Sequence, residues 1–113
     1  MRLHRLLPRA AGLALLTWTL TTGAESPASP GAATVVLARD FMFAPVSLTV
    51  RAGSTVTWTN RDEEPHTVVS DTGLFRSGAM DTNESFSYRF DKPGTYHYLC
   101  SIHPKMAGTI IVQ

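Results

Sequence analysis

Gly94-Thr95-Tyr96-His97-Tyr98-Leu99-Cys100-Ser101-Ile102-His103-Pro104-Lys105-Met106 is the stretch on which the reading turns. Its first half alternates: Tyr96, Tyr98 and Cys100 share one side of a period-two pattern and Thr95, His97 and Leu99 the other, which predicts a strand over Thr95–Cys100. Its second half has no periodicity. It carries instead a thiol, an imidazole and a thioether at spacings of three: Cys100, His103 and Met106. With four His and four Met in 113 residues, composition alone would place both at those offsets about once in 800.

The same alternation extends upstream. Thr34–Arg39, Val46–Val50, Thr55–Asn60, His66–Ser70, Ser85–Phe90 and, downstream, Gly108–Val112 read as short strands. Arg51-Ala52-Gly53-Ser54 and Asp91-Lys92-Pro93-Gly94 are turns between them. Residues 71–83 read as an extended loop with room for one helical turn. No stretch after residue 32 shows helical periodicity. The fold class expected is therefore all-β: an antiparallel-rich, Greek-key β-sandwich of seven to eight strands. Its core is expected to hold Trp58, Phe86, Tyr88, Phe90, Tyr96 and Tyr98, with Tyr96 placed to form a tyrosine corner.

The first 24 residues have a different character. Arg2, His4, Arg5 and Arg9 precede an apolar run from Ala10 to Leu20, and Thr22-Gly23-Ala24 offers small residues for cleavage. Residues 1–24 therefore read as a secretory signal peptide cut after Ala24. The run is shorter than the roughly 20 residues that span a bilayer, so no stable membrane insertion is expected after cleavage. Residues 25–32 read as a flexible Pro/Ser linker and 33–113 as the single folded domain. The expected location is the periplasm or another extracytoplasmic space.

Composition excludes much. Ten basic against nine acidic residues, 17% charged in all, argue against nucleic acid as a partner. A single Cys excludes an internal disulfide and any zinc knuckle of paired cysteines. A secreted domain this small commonly needs a staple, and a bound metal is the one open to it. A lone thiol in an oxidising compartment also needs a purpose.

The donors supply that purpose. If Cys100 lies at the inner edge of the sandwich, His66 needs only to occupy a neighbouring strand end to complete a Cys-His-His-Met set. Thiolate and thioether are soft donors that favour copper, and imidazole suits both its oxidation states. Zinc accepts Cys and His but prefers four strong ligands, and Met is a poor fourth. With no strong position left open for substrate, the set points to electron transfer and not to an enzyme.

At this point the sequence resembles the cupredoxins, in particular their amicyanin and plastocyanin branch. The resemblance covers nearly all of residues 33–113. It is carried by Phe41-x-Phe43-x-Pro45, Gly53-x-x-Val56-x-Trp58-x-Asn60, Pro65-His66-Thr67-Val68, Pro93-Gly94-Thr95-Tyr96 and the Cys100–Met106 loop, which has amicyanin's length. It implies one type 1 copper ion with His66, Cys100 and His103 as equatorial ligands and Met106 as the axial one. It also implies a monomeric one-electron carrier that meets its redox donor and acceptor transiently through His103, with Phe43 and Pro45 among that ring's neighbours.

The chain departs from the family twice. Thr67 stands where many members have an Asn that ties two loops together. Ile102 stands where the short loop usually has Pro, so its N–H is expected to point at the thiolate and raise the reduction potential. His97 has the wrong parity for the site, Met42 and Met80 read as packing, and Asn83-Glu84-Ser85 reads as loop. The alternative function is a copper-delivery protein, which would favour an open Met- or His-rich surface that this chain lacks.

Overall fold

Ser54–Asn60 (β4) shows why these residues pair as they do. Its burial alternates strictly, with Ser54, Val56, Trp58 and Asn60 buried and the threonines between them half-exposed. The computed structural model describes residues 8, 10–19 and 33–113. Of the expected signal peptide only residues 8 and 10–19 are described, and the cleavage site and the 25–32 linker lie outside the described residues. Among the described residues no helix is long and apolar enough to cross a membrane.

The domain has eight strands and no helix among the described residues. Ala33–Arg39 (β1), Met42–Ala44 (β2), β4 and Ser85–Phe90 (β6) form one sheet in the order β2-β1-β4-β6. Ser47–Val50 (β3), Val69–Ser70 (β5), Gly94–Leu99 (β7) and Ala107–Val112 (β8) form the other in the order β3-β8-β7-β5. The all-β sandwich expected from the sequence is therefore present. Four pairings are antiparallel, while β1 with β4 and β3 with β8 run parallel.

Between the sheets lies an aromatic core. Trp58 and Tyr98 meet edge to face at 5.3 Å, Trp58 stacks on Phe75 at 5.7 Å, and Phe43 packs on Tyr98 at 4.8 Å. Phe75 comes from the 71–83 loop, where Met80 alone was expected to pack and where no helical turn forms. Phe86, Tyr88 and Tyr96 are only partly buried, Phe86 and Tyr88 on an edge strand, and they pack against the core from its rim. The Tyr96 hydroxyl donates to the Lys92 carbonyl at 2.6 Å, closing the expected corner. On the outer face of the first sheet, Thr57 pairs with Ser87 at 2.7 Å and Thr59 with Ser85 at 2.8 Å, hydroxyl to hydroxyl.

The strand expected over His66–Ser70 is a strand only at Val69–Ser70. The chain ahead of it is satisfied by the following loop. His66 and Met80 exchange backbone hydrogen bonds at 3.1 and 2.8 Å, Ser77 N–H donates to the Val68 carbonyl, and Val68 N–H donates to Ser77 Oγ at 2.7 Å. This irregular segment brings a histidine to the end of the sandwich where β7 leads into β8.

Candidate metal centre

Cys100 follows β7, and its sulfur is fully buried in the core. The next six residues fold as a closed loop: Cys100 N–H donates to the Met106 carbonyl at 2.9 Å, and Met106 N–H to the His103 carbonyl at 2.8 Å. Three residues singled out in the sequence thus ride on one loop pinned between paired strands. Met106 is buried at the loop's closing end, whereas His103 stays partly exposed.

The fourth residue is placed from elsewhere. Asn60, fully buried at the end of β4, donates through Nδ2 to the carbonyls of Glu64 and Met80 at 2.8 and 2.9 Å. Its Oδ1 accepts from Asp62 N–H at 2.9 Å. This one amide shapes the 60–66 turn and sets down fully buried His66.

The two histidines and the cysteine converge. Cys100 Sγ is 3.9 Å from Nδ1 of His66 and 3.8 Å from Nδ1 of His103. All three donor atoms lie within 4.8 Å of one another. With metal–sulfur and metal–nitrogen bonds of about 2.3 and about 2.0 Å, a 120° angle separates the donors by about 3.7 Å. The residues therefore fit a metal ion held in a near-trigonal S,N,N set, and the softness of the donors favours copper.

Hydrogen bonds around the centre fix its protonation. His66 Nε2 lies 2.7 Å from an Asp62 carboxylate oxygen, so the imidazole proton belongs on that side and Nδ1 is free to bind. Burial alone would raise the Cys100 pKa. The Thr67 N–H at 3.3 Å and the His103 side chain and backbone N–H outweigh burial and hold it down to about 6. The site therefore favours a thiolate even before a metal arrives.

Thr67 supplies the loop tie that its short side chain put in question. Its Oγ1 accepts from Ser101 N–H at 2.8 Å and pairs with Ser101 Oγ at 2.8 Å, while its N–H serves the sulfur. Ile102 does not behave as expected: its N–H makes no hydrogen bond to the thiolate, and the residue is half-exposed. In so tight a loop the amide that turns toward the sulfur is that of His103. Phe43 is also displaced from its expected role, being buried against Tyr98, and Phe41 takes the place beside His103. His97 lies exposed on β7, bonded to Thr109 at 3.1 Å; Met42 is exposed and Met80 buried.

Fold and site together define a small β-sandwich protein with a His-Cys-His metal centre at one end. A family model described as a cupredoxin-like domain matches residues 12–112, and the chain belongs to that family. It is 34% identical to amicyanin-alpha of Methylorubrum extorquens, across 96% of this chain and 99% of that protein. Its identity to the chloroplastic plastocyanin of Tetradesmus obliquus is 33%, across 93% of this chain and 79% of that one. Among solved structures, an amicyanin variant in its Cu(I) form superposes with a TM-score of 0.69 at 32% identity, covering 75% of this chain and 85% of that one. A purple cupredoxin from Nitrosopumilus maritimus gives 0.64 at 32% identity, covering 73% and 99%.

Proposed function

We propose that this chain is a secreted mononuclear copper protein that carries single electrons between larger redox partners. His66, Cys100 and His103 would hold the ion, with the Met106 thioether as a weak fourth donor. The observation that carries this reading is the preformed trio, with both imidazole Nδ1 atoms turned toward one buried, low-pKa sulfur. A bound copper ion would supply the one-electron couple. The protein's part is to hold the donors so that little moves between oxidation states. The buried side of the centre is packed with core residues, and water is kept from the sulfur.

His103 is the donor that reaches the surface, so we assign the route for electrons to its ring. The exposed apolar side chains Phe41, Met42, Val46 and Ile102 belong to that end of the molecule, with Lys105 beside them. Such a face suits brief contacts of small area. The resemblance to amicyanin and plastocyanin supports the reading, and the leader expected over residues 1–24 supports an extracytoplasmic, periplasmic location for a monomer.

The test is a visible spectrum of residues 25–113 after addition of Cu(II) and a mild oxidant, beside Cys100→Ala. An intense thiolate-to-copper band that reductant bleaches reversibly, absent from the variant, is expected. A pale spectrum in copper-loaded, zinc-free protein would sink the assignment and favour copper delivery instead.

A further inference from the structure

Phe41 touches both histidines of the centre without offering a donor atom. Its ring meets His103 edge-on at 5.0 Å between centroids and His66 at 5.4 Å, at 86° in each case. The two imidazoles are themselves 5.1 Å apart, so the three rings close into a triangle. Yet the residue is 48% exposed, so gain from burial does not account for its position.

Its backbone adds a cost. Asp40 and Phe41 form the two-residue loop between β1 and β2, with φ of 54° and 56°. At the second position of such a hairpin turn glycine is favoured, because a β-carbon there crowds the neighbouring carbonyl. The conformation is held by Asp62, whose carboxylate accepts the Asp40 N–H at 2.7 Å and the Phe41 N–H at 3.0 Å. The oxygen that takes the Phe41 amide is also the one bonded to His66 Nε2. Strain kept in place by the group that orients a metal donor points to function and not to folding.

We propose that Phe41 is a positioning residue of the metal centre, a ring clamped against His66 and His103 that keeps His103 seated and slows loss of the bound ion. Cys100, His66 and Met106 are buried in the sandwich, and none can swing away without opening the core. His103 is partly exposed on a loop, so release of an ion begins with its imidazole. Phe41 packs against that imidazole from a turn that Asp62 prevents from relaxing. The inference rests on the copper reading above and adds to it a kinetic property, retention of the metal.

The experiment compares the copper-loaded chain with Phe41→Gly and Phe41→Tyr. Transfer of copper to excess chelator is followed by loss of the blue band, and thermal unfolding of each metal-free form is measured alongside. Phe41→Gly should release copper roughly tenfold faster or more, in line with other residues that support metal ligands. Its metal-free form should be at least as stable as the parent, because glycine removes the strain. Phe41→Tyr, which keeps the ring, should restore slow release. Equal release by Phe41→Gly and the parent overturns the proposal. So does a metal-free Phe41→Gly that is less stable or unfolded, since the residue would then be merely structural. A parent chain with no blue centre would overturn the copper reading and this proposal with it, whereas a blue parent with unchanged release in Phe41→Gly defeats this proposal alone.

Discussion

The carboxylate of Asp62 and the imidazole of His66, four residues apart in a segment without helix, meet at 2.7 Å, and this bond decides which ring nitrogen is left for a metal. Burial opposes ionisation of Asp62, but the Phe41 amide, the His66 ring and the Asp40 amide outweigh it and hold the pKa below the ordinary 3.8.

Replacing Asp62 by Asn removes the charge and turns one of its two acceptor oxygens into a donor. Copper affinity should fall roughly 10- to 100-fold, the usual effect of losing a partner of a ligand histidine. A competition titration checks this. The acid limb should change as well. Because the folded pKa is depressed, the stabilisation is present above the unfolded value and lost as pH falls through the folded one. Asp62→Asn should therefore show a flatter loss of metal-free stability below about pH 4.

Cys100 gives a second pH dependence. In the metal-free protein its thiol should ionise near pH 6, against 9.0 for an ordinary one, as followed by thiolate absorbance with Cys100→Ser as baseline. The fold gains stability from this group above its unfolded pKa and loses it as pH falls through about 6. Metal uptake at neutral pH should consequently release few protons. A full proton per metal ion, measured by calorimetry in two buffers, would show the thiol to be unperturbed.

Thr67→Ala keeps the N–H that serves the sulfur and deletes the hydroxyl that ties the two loops. The cost should be about 1 kcal/mol in denaturant unfolding, with the copper band little changed. A large spectral shift would mean that the hydroxyl, 3.8 Å from the sulfur, contributes directly.

Gly108 lies where any β-carbon would collide with the Tyr98 hydroxyl. Gly108→Ala should destabilise by about 1–3 kcal/mol through overpacking. That hydroxyl and the Trp58 Nε1 are buried without a hydrogen-bond partner; burial raises the tyrosine to about 12, tempered by the nearby indole. Tyr98→Phe should thus be nearly neutral alone and should rescue Gly108→Ala. Failure of the rescue would place the clash elsewhere.

Much of this was legible in the sequence because strand parity and side-chain chemistry are local. The alternation around Cys100 put the thiol inside, and the offsets of three put His103 and Met106 on its loop. What escaped depends on folding back. Met42–Ala44 is too short to show a period, and the expected strand at His66 gives way because Ser77 and Met80 return to satisfy its backbone. Phe75 is core only because its loop closes over Trp58. Asp62 opens the acidic run Asp62-Glu63-Glu64, and nothing in its spacing shows that a turn shaped by Asn60 aims it at His66. Ile102 failed as a donor because amide direction in a tight loop is set by the loop's own bonds.

The outer face of the first sheet carries small hydroxyls that spend their hydrogen bonds on each other, Thr57 with Ser87 and Thr59 with Ser85. These four side chains leave no hydroxyl unmet, and they are flanked on the same face by exposed Val35 and by Arg89, whose guanidinium is bonded to Asp91. Each hydroxyl pair is a tie from β4 to β6, so the edge strand is fastened to its sheet by side chains as well as by its backbone ladder.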